Sequence, residues 1–236
     1  MKTLTLAKSL PIAVCGAALL IAGTNGSAQA LTLTATDQGW WSTSDGHGSI
    51  NDNYITGQSG IDQSFRSYFT FNLTGVSGGE AVTSAVLKLR RFAGAGNSPK
   101  KLGLFDVSTS ATALDQDSAP NPTIFNDLGT GTSYGNYSVS ATDDSEILSF
   151  ALNSAGVAAI NSSLGNSFSI GGTLLGALGA GEQYLFGFSN GSSAQLDLGT
   201  NPTAIPTPAL LPGLIAMGVG VLRKRKAEAA KVADEA

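Results

Sequence analysis

One histidine, His47, lies in the body of this chain, between glycines in Asp45-Gly46-His47-Gly48. A general base or metal-bound imidazole needs a partner that orients it, and His47 has no second histidine in the 236 residues to join it. The only cysteine, Cys15, sits in the N-terminal segment. His47 is therefore expected on an exposed loop, outside any nucleophile or ligand set.

Carboxylates are the other groups with chemical potential. Asp143-Asp144 with Glu146 are the residue types of glycoside hydrolysis, which sets two carboxyls about 5–9 Å apart across a cleft. So close together, ahead of a strand, they read as a turn and a solvated strand start. Asp115-Gln116-Asp117, and Asp45 with Asn51-Asp52-Asn53, offer the hard oxygens that calcium accepts. Neither has EF-hand spacing, and short Asp/Asn/Gly runs form turns through side-chain-to-backbone hydrogen bonds. No cofactor or metal ligand is assigned, structural calcium at these loops being the one candidate. Nucleophile elbows, phosphate loops and dinucleotide fingerprints are missing from any strand-to-helix context, and no enzymatic activity is expected.

Trp40 and Trp41 are the only tryptophans. Exposed indole faces stack on sugar rings, so both are candidate glycan contacts, with Tyr54, Tyr68, Tyr134 and Tyr137 available to widen a platform. Adjacent strand residues point to opposite faces. One tryptophan is expected in the core and the other at the surface, and packing is the simpler role for the pair.

These residues must be held by the segment from Leu31 to about Gly199, which is long enough for one domain. Period-two alternation marks strands: Ser67 to Leu73 sets Phe69, Phe71 and Leu73 on one face, and Thr83 to Leu89 sets Ala85, Leu87 and Leu89 on one face with Val86 and Lys88 opposite. Further strands are predicted at 31–36, 40–43, 54–56, 102–107, 135–140, 146–152, 168–171, 183–188 and 194–198. Only Asn153 to Ser162 reads as helix, capped by Asn153 or Ser154. Many short strands make a sandwich or barrel.

Both ends of the sequence carry addresses. Lys2 and Lys8, the apolar run Leu10 to Ala22, and Ala28-Gln29-Ala30 form a secretory signal, predicted to be cut between Ala30 and Leu31. Cleavage would remove Cys15 and leave a product without disulfides. At the other end, Ala204 to Leu222 is free of charge and closed by Arg223, Lys224, Arg225 and Lys226. As a continuous helix it would reach about 28 Å, close to the hydrocarbon thickness of a bilayer, although Pro206, Pro208 and Pro212 delay regular helix to about Pro212. The positive-inside rule puts the cations in the cytoplasm and the body outside.

Between Leu31 and Ile205 stand 14 acidic and six basic residues, near −8. Such a body repels nucleic acid and anionic membrane surfaces. The basic residues between Lys88 and Lys101 read as a solvated strand face, with an acidic polymer as the rival partner.

Pro206-Thr207-Pro208-Ala209, Leu210-Leu211-Pro212-Gly213-Leu214, the apolar run and the basic cluster together resemble the PTPA variant of PEP-CTERM sorting signals. The resemblance implies recognition by an exosortase, a membrane-embedded peptidase or transpeptidase, with at least transient anchoring through a C-terminal helix. The extension 227–236 runs past the point where many such signals stop. In the body, Arg66-Ser-Tyr-Phe-Thr-Phe-Asn-Leu followed by Val82-Thr-Ser-Ala-Val-Leu-Lys-Leu resembles DNRLRE-type β-sandwich modules. That implies an all-β, jelly-roll-like antiparallel sandwich with one short helix, like carbohydrate-binding modules.

The expected organisation is a signal peptide (1–30), a sandwich (31–199), a linker (200–205), a sorting signal with a transmembrane helix (206–226) and a polar cytoplasmic tail (227–236). The expected role is a secreted, non-enzymatic protein of the bacterial envelope or extracellular matrix. The alternative is a module that grips extracellular polysaccharide.

Overall fold

The computed structural model describes residues 29–60, 62–76, 80–187 and 192–202. Its strands are β1 (Gln29–Thr34), β2 (Asp37–Ser42), β3 (Thr56–Ser59), β4 (Gln63–Asn72), β5 (Glu80–Arg90), β6 (Lys100–Asp106), β7 (Ser133–Val139), β8 (Ile147–Ala151), β9 (Ser167–Leu175), β10 (Gln183–Leu185) and β11 (Gln195–Pro202). The helices are α1 (Ala111–Leu114), α2 (Pro122–Asp127) and α3 (Ser154–Ser162). All strand pairs are antiparallel. They make a smaller sheet, β1-β11-β5-β8, and a larger one, β10-β3-β4-β9-β6-β7, with β2 also paired to β4.

The two sheets close on a core that follows from strand alternation. Phe69, Phe71 and Leu73 from the larger sheet meet Ala85, Leu87 and Leu89 from the smaller one, with Leu102, Leu104, Phe150, Phe168, Ile170, Leu196 and Leu198 around them. Burying a side chain of this size stabilises by about 1.5–3 kcal/mol, and this inner layer makes the fold a β-sandwich. The smaller sheet's β1 leaves at Ala35-Thr36, and β2 then joins the larger sheet along β4, so consecutive strands switch layers.

Both ends of the folded region lie together, because Gln29 pairs with Thr200. β1 takes in Gln29 and Ala30 ahead of the expected cleavage point, and β11 runs to Pro202, into residues that the sequence assigned to a linker. The extension is possible because Thr200–Pro202 resume pairing with Glu80–Val82 after a bulge at Gly199/Thr200.

The helix at α3 is capped by Asn153, whose Oδ1 accepts from Ala155 N at 3.0 Å and Gly156 N at 3.1 Å. A single helix is too few, however. α1 and α2 lie in the β6–β7 connection, and that segment crosses the outer face of the larger sheet. There Trp41, Tyr68, Leu114, Phe125 and Leu128 form a second buried cluster. Asn121 caps α2, with Pro122 in its first turn. At four and six residues these helices are too short to show a 3.6-residue period, which is why alternation missed them.

Among the described residues no helix is long and apolar enough to cross a membrane. Residues 1–28 of the expected signal peptide, Ala28 included, and the whole segment 206–226 lie outside the described residues.

Candidate functional site

On the outer face of the larger sheet, the register places Gly39 opposite Tyr68 and Trp41 opposite Arg66. The loop after β2 then turns back over them. Gly46, at φ +74°, makes this turn where a Cβ would fall 1.9 Å from Ser118 O, so only glycine lets the two loops touch. His47 and Ser118 exchange backbone hydrogen bonds at 3.0 and 3.1 Å.

His47 is consequently buried, at 7 % exposure, and not on an exposed loop as its flanking glycines suggested. Its ring stacks on Trp41 at 5.3 Å and meets Tyr68 edge-on at 5.5 Å. Nδ1 lies 2.8 Å from Trp40 O. A carbonyl can only accept, so Nδ1 carries a proton, and Nε2 lies 3.2 Å from the Tyr68 hydroxyl. That hydroxyl is also 3.3 Å from Asp37 Oδ1. Burial, reinforced by the charge of Asp115, pushes the Asp37 carboxyl up. Burial and then Asp37 push the Tyr68 phenol up strongly. The line of Asp37, Tyr68 and His47 has the residue types of a proton relay, but Tyr68 and Trp41 have no exposed surface. It pins the covering segment to the sheet and offers no place for a substrate.

The two acidic groupings end up on adjoining loops, and one oxygen each of Asp117, Asp45 and Asn51 accepts from N–H donors. Asp117 Oδ1 accepts from Ser49 N at 2.6 Å, Asp45 Oδ2 accepts from Gln63 Nε2, and Asn51 Oδ1 accepts from Asn53 N and Nδ2 at 3.2 and 3.0 Å. Among the described residues no three His, Cys, Asp or Glu side chains are grouped so as to hold a metal ion. These donors fit turns better than calcium. At the third grouping, Asp143 Oδ2 accepts from Ser140 N at 2.7 Å and Asp144 pairs with Arg91 Nε at 2.7 Å.

Of the cations from Lys88 to Lys101, Arg90 and Lys101 are exposed as a solvated face requires, and the other three are not. Lys88 pairs with Asp197 at 2.5 Å, Arg91 is buried against Asp144, and Lys100 is buried with its ammonium on Asn97 O. Burial, and then the neighbouring Arg91, push the Lys100 ammonium down.

Trp41 is the fully buried tryptophan, with Nε1 donating to Leu114 O at 3.1 Å. Trp40 pairs with Ser67 and so shares the inner face with Phe69, but near the end of the sheet it is only half-buried. It meets Phe65 edge-on at 5.2 Å and lines a shallow cleft of about 270 Å³. Tyr184 from β10 forms part of the same wall, and Asn51, Asn53, Ser59 and Glu182 supply its polar groups. The tyrosines singled out from sequence are elsewhere: Tyr54, Tyr68 and Tyr134 are buried, and Tyr137 packs on Phe150. Tyr184 was missed because β10 and β2 are more than 140 residues apart and only the larger sheet brings them to one end.

No protein-family model matches the chain. Comparison with curated proteins likewise finds no significant match.

Proposed function

We propose that this chain is a non-enzymatic β-sandwich protein of the bacterial envelope or extracellular matrix. It is exported through its N-terminal signal and handed to an exosortase-like membrane peptidase through residues 206–226. The observation that carries the reading is the order Pro206-Thr207-Pro208-Ala209, uncharged run, Arg223-Lys224-Arg225-Lys226. A jelly-roll-like topology, with β1 passing between sheets into β2, is the finer form of the fold under this reading. Pairing of Gln29 with Thr200 supports it further, because both signals then leave the domain at one end, and an apolar tail held in a membrane does not have to thread past the sandwich.

Fractionation of cells producing the full-length tagged chain tests the proposal. Protein at the surface, with an intact mass starting at Leu31 and ending near Pro206–Ala209, is the expected result. Retention of the whole chain in the cytoplasm, or an unchanged location after deletion of 206–226, would overturn it.

A further inference from the structure

We propose that the buried line of Asp37, Tyr68 and His47 is a proton latch: it holds one shared proton beyond those of an ionised carboxylate, a phenol and a neutral imidazole, and it loosens the covering segments when rising pH removes that proton. The inference rests on these three side chains and not on the sorting signal, so either can fail alone.

A count of hydrogens carries the argument. His47 Nδ1 is 2.8 Å from Trp40 O, and the hydrogen there is committed to that carbonyl. Two contacts remain, His47 Nε2 to the Tyr68 hydroxyl at 3.2 Å and that hydroxyl to Asp37 Oδ1 at 3.3 Å. A phenol has one hydrogen to give. If it points to Asp37, the lone pair of Nε2 faces the phenol oxygen; if it points to Nε2, the carboxylate does. One added proton, on Nε2 or on Asp37, fills both contacts at once. Water is a poor substitute, because His47 and Tyr68 are buried and Asp37 Oδ2 is itself buried with no hydrogen-bond partner.

The surrounding charge favours the added proton. The carboxylates of Asp37, Asp115 and Asp52 act on Tyr68, and His47 acts on Asp117 as well as on Asp37. Four acids thus face the line, from β2, from the loop after it and from the end of α1 onward. The cation of β4, Arg66, turns its guanidinium away to Phe125 O and Asn126 O and over the Phe125 ring. At Asp37, burial and then Asp115 push the carboxyl up, against the Tyr68 hydroxyl, the His47 charge and the Gln38 N–H. A small cavity of about 80 Å³ beside Asp37, Gln38 and Asp52 gives the proton a way in.

His47 sets what the latch holds. Its backbone exchanges hydrogen bonds with Ser118 at 3.0 and 3.1 Å, and its ring lies on Trp41, so the line ties the loop after β2 and the β6–β7 connection to the sheet. The three groups titrate as a unit. In the unfolded chain aspartate gives up its proton at about pH 3.9 and histidine at about pH 6.5. The folded line keeps its proton past the second of these, so its contribution to stability is whole below about pH 6.5 and is lost as pH rises through the folded value. An acceptor then left buried without a donor makes opening of the cover about tenfold more frequent.

The test uses the full-length chain, purified without a histidine tag, so that its single histidine gives one imidazole signature. Histidine nitrogens and aspartate carboxyl carbons are isotope-labelled and followed by NMR from about pH 4 to about pH 9. A proton on Nε2 or on the Asp37 carboxyl should persist to about one pH unit above the ordinary histidine value of about 6.5. Hydrogen exchange at the His47 and Ser118 N–H groups, corrected for its intrinsic pH dependence, should rise about tenfold as that proton leaves. Asp37→Asn supplies the missing hydrogen permanently, because its amide donates to the Tyr68 oxygen while the phenol donates to Nε2. In that variant the exchange step should disappear and the cover should stay protected to about pH 9. The wild-type titration decides the matter alone if the variant fails to fold. Loss of both protons at or below their ordinary values, about 3.9 and 6.5, or an exchange step in Asp37→Asn as large as in wild type, would overturn the proposal.

Discussion

Trp41→Phe measures whether the β6–β7 connection is an integral layer of the fold. The indole N–H donates to Leu114 O at 3.1 Å, and both residues have no exposed surface. Phenylalanine leaves that carbonyl buried without its donor, at a cost of about 1–3 kcal/mol. The smaller ring also leaves a void of roughly 40 Å³, worth about 1 kcal/mol at about 24 cal/mol per Å³. The stack with His47 is retained in part, so a loss of about 2–4 kcal/mol is expected. The assay is urea unfolding followed by far-ultraviolet circular dichroism. The chain has two tryptophans, so emission from the variant comes from Trp40 alone, and Trp40→Phe isolates Trp41. Trp41 should emit at short wavelength and resist acrylamide. A loss below about 0.5 kcal/mol, or a readily quenched Trp41, would refute the packing of residues 107–132 on the outer face.

Two further perturbations address the same layer. Burial alone would raise the Asp127 carboxyl, but hydrogen bonds from Thr109 and Ser108, through both N–H and hydroxyl at 2.7–3.0 Å, outweigh it and hold the group below the usual carboxylate range. A depressed folded-state pKa gives stability that is present above about pH 4 and is lost as pH falls through the folded value. Asp127→Asn should cost about 1 kcal/mol at neutral pH, discounted for partial exposure, and the difference from wild type should shrink in acid-unfolding curves as pH falls through the depressed folded-state value. A Cβ on Gly171 would sit 2.5 Å from Leu128 O, whereas one on Gly48 meets nothing within 4 Å. Gly171→Ala should therefore lower stability by about 2 kcal/mol and Gly48→Ala by less than about 0.5 kcal/mol in the same unfolding assay.

The strands were legible because a half-buried strand writes its burial into alternate residues. Phe69-x-Phe71-x-Leu73 and Ala85-x-Leu87-x-Leu89 face each other across the core as their spacing predicts, and Asn153 announces α3 by the hydrogen bonds that its side chain makes. α1 and α2 left no such pattern, although Asn121-Pro122 is a helix start by residue type. At the site, alternation was enough to put the two tryptophans on opposite faces, but the fully buried one, Trp41, is on the outer face and Trp40, on the inner face, is only half-buried. Alternation could not say that the buried one packs outside the main core, because that depends on a segment 66 or more residues away folding over it.

From the amino-acid order alone come the proposal of two terminal addresses, the acidic body, the scarcity of histidine and cysteine, and the alternation that makes strands. These are properties of composition and of near neighbours along the chain. The burial of His47, the pairing of Lys88 with Asp197, and the meeting of Trp40 with Tyr184 came only from tertiary structure. Each depends on contacts between residues far apart in the chain, which are created by sheet register and loop closure and which no local pattern encodes.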